Sequence, residues 1–136
     1  EAEKWLQAMA EAGCLPNTVS YNAAITAAAR SIDTRRGVEL LGRLMDARLE
    51  PTAMSYSTVI RSFARTGDIP QAARWLRQMT EIQFSPNLLC YTSLIKSCAR
   101  NGEADESARW LQEMLRESVE PDASAFNIVI GTFVSK

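Results

Sequence analysis

Four prolines, Pro16, Pro51, Pro86 and Pro121, stand 35 residues apart with no insertion between them. The interval governs other residues too. Tyr91, Ile95, Ser97, Ala99, Arg100 and Gly102 repeat Tyr56, Ile60, Ser62, Ala64, Arg65 and Gly67. Ala108, Arg109, Trp110, Leu111 and Met114 repeat Ala73, Arg74, Trp75, Leu76 and Met79, and a further shift reaches Tyr21, Ile25, Ala29, Arg30 and Leu41. A fixed period of this length marks a solenoid of stacked units, each burying its apolar face only against its neighbours.

Each unit reads as two helices. In residues 53–87, Tyr56, Val59, Ile60 and Phe63 fall at i, i+3, i+4 and i+7, one face of a helix. Thr66-Gly67-Asp68 breaks it, with Gly67 suited to a left-handed C-cap and Asp68 to capping the next helix. Pro70 falls in the first turn of that second helix, where its missing N–H is harmless. Ala72, Ala73, Leu76 and Met79 form the second apolar face with Trp75 at its edge, and Ser85-Pro86-Asn87 closes the unit. The same grammar runs through 18–52 and 88–122. Residues 1–17 read as the second helix of a preceding unit. Residues 123–136 read as the first helix of a following one, with Phe126, Val129, Ile130 and Phe133 facing its core. The expected first helices span roughly 19–30, 54–65, 89–100 and 124–134, and the second helices roughly 2–12, 35–48, 70–82 and 105–117. The expected class is all-α, an α-α superhelix forming one array over 1–136. Ile32 stands where the next units have Gly67 and Gly102, so that turn is expected to close differently. The chain opens at Glu1 inside one unit and stops inside another, so it reads as a piece of a longer protein, and missing targeting segments say nothing about location.

Composition excludes several functions. No apolar run approaches the ~20 residues of a membrane span. There is no histidine, and the three cysteines, Cys14, Cys90 and Cys98, have no zinc-ligand spacing. Cys90 and Cys98 lie eight apart on one predicted helix, too far to bridge. All three are expected as buried small residues or a loop thiol. No nucleophile–base arrangement exists, and carboxylates such as Asp105 and Glu106 read as first-turn helix charges. Neither catalysis, nor a metal, nor a cofactor is expected.

The net charge of −1, from 15 basic and 16 acidic residues, taken whole argues against a nucleic-acid partner. Its distribution reverses that argument. Residues 18–31, 53–66, 88–101 and 123–136 hold Arg30, Arg61, Arg65, Lys96, Arg100 and Lys136 and not one acid. Opposite the core stripe, Val19, Asn22, Thr26 and Arg30 share a face; their equivalents are Met54, Ser57, Arg61 and Arg65, then Leu89, Thr92, Lys96 and Arg100. Stacked first helices would present spaced cations, able to neutralise phosphates, beside small side chains able to hydrogen-bond a base edge. Val19, Met54 and Leu89 could pack on base planes. A competing reading is a solvated face whose arginines sit near helix C-termini because the macrodipole favours cations there. A second polar column, Asn17, Thr52, Asn87 and Asp122, follows each proline; all four are good N-caps, and capping is compatible with ligand contact.

These residues resemble the pentatricopeptide repeat family. The resemblance is carried by the period, by Pro16-Asn17 ahead of Ser20-Tyr21-Asn22, by Arg65-Thr66-Gly67-Asp68, and by Ala-Arg-Trp-Leu-x-x-Met at 73–79 and 108–114. It implies a superhelix of helical hairpins that binds single-stranded RNA, mostly in mitochondria or plastids, and reads one base per repeat. It further implies reading pairs Asn22 with Thr52, Ser57 with Asn87 and Thr92 with Asp122, while Asn127 lacks its partner. Val19, Met54 and Leu89 would sandwich bases, and Arg30, Arg65 and Arg100, with Arg61 and Lys96, would meet phosphates. By the family's preferences Ser57/Asn87 resembles an adenine reader, Thr92/Asp122 a guanine reader and Asn22/Thr52 a weak pyrimidine reader. The event served would be organellar RNA processing, stability, splicing, editing or translation, with protein partners reached through the rest of the parent chain. The alternative is a protein-binding helical scaffold like the tetratricopeptide adaptors. That alternative predicts aromatic or carboxylate-clamp residues on the face that here carries Asn, Ser, Thr and spaced Arg.

Overall fold

A computed structural model describes residues 1–135. Its elements are α1 (Ala2–Glu11), α2 (Thr18–Arg30), α3 (Thr34–Asp46), α4 (Ala53–Thr66), α5 (Ile69–Glu81), α6 (Leu88–Arg100), α7 (Ala104–Arg116) and α8 (Ala123–Val134), with no strand among the described residues. The protein is an all-α solenoid of helical hairpins, as the period predicts.

Caps explain why the helices start where they do. Asn17, Thr52, Asn87 and Asp122 each stand at an N-cap in extended conformation, and each side chain accepts from the backbone N–H three residues on. Asp33 and Asp68 cap α3 and α5 in the same way, and Pro70 sits in the first turn of α5. One expectation is overturned. The turn after α2 closes as its glycine counterparts do, although Ile32 occupies it. Ile32 N–H donates to Ala29 O at 3.1 Å and Asp33 N–H to Ala28 O at 3.0 Å; Gly67 and Asp68 make the same pair of bonds to Ala64 and Phe63. Ile32 reaches this geometry by adopting φ 58°, a left-handed conformation costing a β-branched residue about 1–2 kcal/mol. Packing of α3 against α2 sets the turn, and the residue accommodates it.

The core runs continuously through the array. Tyr21, Tyr56 and Tyr91 are buried at equivalent places, as are Ile25, Ile60 and Ile95. The second helices supply Leu40, Leu41, Leu44, Leu76, Met79, Leu111 and Met114. Burying one such side chain contributes about 1.5–3 kcal/mol. The Tyr56 ring lies 6.1 Å from both Trp75 and Phe84, so an aromatic cluster locks α4 to α5 and to the loop beyond. Cys90 and Cys98 are buried and Cys14 is exposed, all three with free thiols.

The stacking positions the site. First helices pack directly on one another, α2 on α4, α4 on α6 and α6 on α8. The second helices α3, α5 and α7 each pack on their own first helix and on the next one, and α1 packs on α2, but among the described residues no two second helices pack backbone to backbone. Open grooves separate them instead: 640 Å³ between α3 and α5 over Val38, Phe63 and Trp75, and 600 Å³ between α5 and α7 over Ile69, Ala73 and Trp110. Close contact on one side and splaying on the other curve the array. The first helices therefore line the inner, concave side.

Candidate nucleic-acid interface

The first turn of each first helix carries its apolar residue outward. Val19, Met54 and Leu89 are 75%, 61% and 52% exposed, although such side chains normally favour the interior. They recur once per unit, so they form a row along the concave side. Arg30, Arg61, Arg65, Lys96 and Arg100 are exposed on the same helices. Four of the five meet in one groove of 590 Å³, formed by Arg61 and Arg65 of α4, Lys96 and Arg100 of α6, together with Ser93, Ala99 and Ile128; no carboxylate lines it. Arg35, Arg36, Arg43, Arg109 and Arg116 of the second helices pair with Glu39, Glu3, Glu106 and Glu113. The five first-helix cations form no ion pair among the described residues. The charge of Arg61, Arg65, Lys96 and Arg100 is therefore gathered at the groove with no carboxylate to offset it there.

The arginines do more than a helix-dipole reading predicts. Arg100 Nη2 donates to Ala64 O at 3.0 Å, and Arg65 Nη1 to Ala29 O at 3.3 Å. Each guanidinium thus crosses to the last turn of the preceding first helix, not its own. The carbonyl it meets already accepts one turn bond, from Gly67 or Ile32, and has a second lone pair to offer. The small Ala29 and Ala64 side chains leave those carbonyls within reach. A guanidinium has five donors, so most remain for a ligand, and the bond to the neighbouring helix orients the fork.

The three pairs expected to read bases differ from one another. Asn22 Nδ2 donates to Thr52 Oγ1 at 3.1 Å, which joins the first pair side by side across 30 residues of sequence. Among the described residues no hydrogen bond joins Ser57 to Asn87 or Thr92 to Asp122. Ser57 Oγ instead donates to Met54 O at 3.2 Å, and Thr92 Oγ1 to Leu88 O at 2.8 Å. Both residues are 8% exposed. A hydroxyl that commits its proton to its own helix can meet a ligand only as an acceptor. Asn87 and Asp122 cap through Oδ1, to Cys90 N–H at 3.1 Å and Ala125 N–H at 2.9 Å. The Nδ2 group of Asn87 and the second carboxylate oxygen of Asp122 lie outside those caps. Asn127 is exposed on α8 beside a shallow groove shared with Ala99, Gly102 and Gly131.

Two contributors escape sequence reasoning. Ser55 donates to Asn22 Oδ1 at 2.5 Å from the neighbouring unit, and Ser93 lines the cationic groove. Nothing in the local pattern of either residue marks it, because each acts across a unit boundary.

The period, the capped hairpins and the face of first helices coincide with matches to two family models. The PPR repeat family model matches residues 51–100 and 86–135, and the pentatricopeptide repeat domain model matches residues 4–66. The chain belongs to the pentatricopeptide repeat family. Solved structures of this family superpose on it. The maize pentatricopeptide repeat protein PPR10 matches with a TM-score of 0.80 at 25% identity, over 91% of this chain and 18% of that one. PPR10 in complex with an 18-nt psaJ RNA element matches with a TM-score of 0.84 at 20% identity, over 96% and 19%. The PPR domain of Arabidopsis thaliana protein-only RNase P 1, in complex with tRNA, matches with a TM-score of 0.83 at 16% identity, over 98% and 71%. The chain therefore spans about a fifth of PPR10. No curated protein matched the sequence. Among the described residues no cluster of His, Cys, Asp and Glu could hold a metal ion, and no helix is long and apolar enough to cross a membrane.

Proposed function

We propose that this pentatricopeptide repeat array binds single-stranded RNA along its concave side and reads one base per repeat. The observation that carries the reading is the donor–acceptor inventory of the pairs. Thr92, its proton committed to Leu88 O, and the carboxylate Asp122 are both acceptors. Two acceptors suit the N1–H and N2–H donors of a guanine edge. Ser57 is likewise an acceptor, while Asn87 keeps an Nδ2 donor beyond its cap. Acceptor plus donor suits the N6–H and N1 of adenine. This chemistry agrees with the preferences the family resemblance implies for both pairs. Val19, Met54 and Leu89 supply apolar surface against base planes, and Arg30, Arg61, Arg65, Lys96 and Arg100 supply the phosphate term. That PPR10 and the PPR domain of protein-only RNase P 1 were solved with RNA supports the ligand class. The array acts as a binding scaffold, and by the same resemblance it works in a mitochondrion or plastid on organellar RNA.

The test compares short RNAs that differ at one base. Thr92→Asn places an amide donor beside Asp122 and should move the third repeat from guanine toward uracil, while the first and second repeats keep their preferences. A well-made base contact is worth on the order of 1–3 kcal/mol, roughly 5- to 150-fold in relative affinity. Equal weakening toward all four bases would make Thr92 a structural residue and remove the base-reading claim. Failure to bind any RNA, with capture of a peptide on the same face, would favour the scaffold alternative.

A further inference from the structure

The first reading pair carries a lock that the others lack. We infer that Ser55 is the positioning residue of this pair, fixing the Asn22 amide so that the first repeat meets its base with donors and selects cytosine over uracil. The inference rests on the one-base-per-repeat reading.

Ser55 is buried and sits three residues into α4. Its hydroxyl accepts from Thr52 N–H at 3.0 Å as half of a capping box. Its own proton goes to Asn22 Oδ1 at 2.5 Å, 33 residues upstream. The carbonyl end of the Asn22 amide is thereby held against a buried residue, and the Nδ2 end is turned to Thr52 Oγ1. Thr52 Oγ1 accepts from both Asn22 Nδ2 and Ser55 N–H. With both lone pairs engaged, Thr52 can offer a ligand only its hydroxyl proton, which has Ser55 Oγ at 3.3 Å as its partner and must turn from it to meet a base. Asn22 keeps a second N–H on Nδ2. Two adjacent donors are complementary to the adjacent acceptors N3 and O2 of cytosine. They oppose the N3–H of uracil.

The positions equivalent to Ser55 are Cys90 and Ala125. A thiol is a weak donor and a methyl none, and neither residue bonds to Ser57 or Thr92 among the described residues. The lock therefore belongs to the first pair alone. Without Ser55 the Asn22 amide is free to turn over and present its carbonyl beside the Thr52 hydroxyl. The donor pattern that separates cytosine from uracil then disappears.

The experiment uses the 136-residue chain, with fluorescently labelled single-stranded RNAs that differ only at the base met by the first repeat. Two variants serve: Ser55→Ala, and Ser55→Cys, whose side chain is already tolerated at buried Cys90. Ser20→Ala is the control, because Ser20 makes the same capping box with Asn17 and touches none of the three pairs. The parent and Ser20→Ala should prefer cytosine. Both Ser55 variants should lose about fivefold of that preference, the worth of one typical hydrogen bond, with second- and third-site preferences unchanged. The Asn22 side-chain amide signals in nitrogen-15 spectra should shift in the Ser55 variants and not in Ser20→Ala. Undiminished cytosine preference in the Ser55 variants, or a parent that discriminates at the second and third sites but not the first, overturns this inference alone. A parent that binds no RNA overturns the proposed function with it.

Discussion

Ile32 holds φ 58° in a conformation that glycine adopts freely, and its side chain is more than half exposed, so little packing offsets the strain. Ile32→Gly should raise stability by about 1 kcal/mol, the left-handed strain less the greater entropy glycine loses on folding, read as a higher midpoint in urea. Two buried titratable residues make a second prediction. Burial pushes the Cys98 thiol up to about 12, helped by the nearby charges of Glu103 and Glu106. Burial, with Glu117, Glu113 and Cys90, does the same to the Tyr91 hydroxyl, also to about 12. In the unfolded chain these groups ionise near their ordinary values of 9.0 and 10.0. The unfolded state releases its protons first, so the stabilisation is complete below about pH 9 and declines from there toward pH 12. Unfolding midpoints across that range should fall steadily, and more shallowly in Cys98→Ala. A flat profile would contradict the burial of both groups.

At the scale of the element, the N-cap residues fix the helix starts, and the proposed base reading would give Thr52, Asn87 and Asp122 a second use. Asn87 caps α6 by accepting from Cys90 N–H, a bond that any short acceptor side chain can replace. Asn87→Asp should keep thermal stability close to the parent value while abolishing the Nδ2 donor and with it the adenine preference of the second repeat. Asn87→Ala should lose about 1 kcal/mol of stability as well. If Asn87→Asp leaves base preference intact, the residue is a cap and nothing more. The capping role was legible in the sequence, since a polar residue ahead of an apolar 3.6-residue stripe specifies a helix start by local chemistry. So were the helix boundaries, which fall within about two residues of expectation. Closure of the turn at Ile32 was not legible, because packing of α3 against α2 overrides the local preference of the residue.

At the scale of the molecule, charge is sorted by layer: cations without acids on the stacked first helices, and both signs of charge, with ion pairs on α1, α3 and α7, on the splayed second helices. Replacing Arg30, Arg65 and Arg100 together with glutamine should weaken binding of every RNA alike. It should also flatten the salt dependence by roughly 0.7 in logarithmic slope for each phosphate that is no longer neutralised. The single variants should separate two roles. Arg100→Gln also removes the bond to Ala64 O and should lower stability by about 1 kcal/mol. Arg30→Gln removes no such cross-helix bond and should leave stability unchanged. Equal stability losses in the two would refute the cross-helix role of Arg100.

The sequence alone determined the all-α class, the hairpin unit, the buried face of the helices inside the array and the family, because each depends on chemistry repeated within a few residues or on the 35-residue period itself. On α8 the expected core face is corrected: of Phe126, Val129, Ile130 and Phe133 only Val129 is buried, beside Ala125 and Thr132, because burial there depends on which helix packs over each side and not on the apolar stripe alone. It also named the cations and the polar columns. The tertiary structure decided what those residues do to one another. The contacts of Asn22 with Thr52 and Ser55 span 30 and 33 residues, and those of Arg65 and Arg100 with the preceding helix span 36. These separations lie close to one period, so such contacts arise only when consecutive units stack. Stacking also gathers Arg61, Arg65, Lys96 and Arg100 around one groove and commits the Ser57 and Thr92 protons to their own helices. No periodicity reports which hydroxyl is already committed, since that depends on where the neighbouring unit lets each side chain turn.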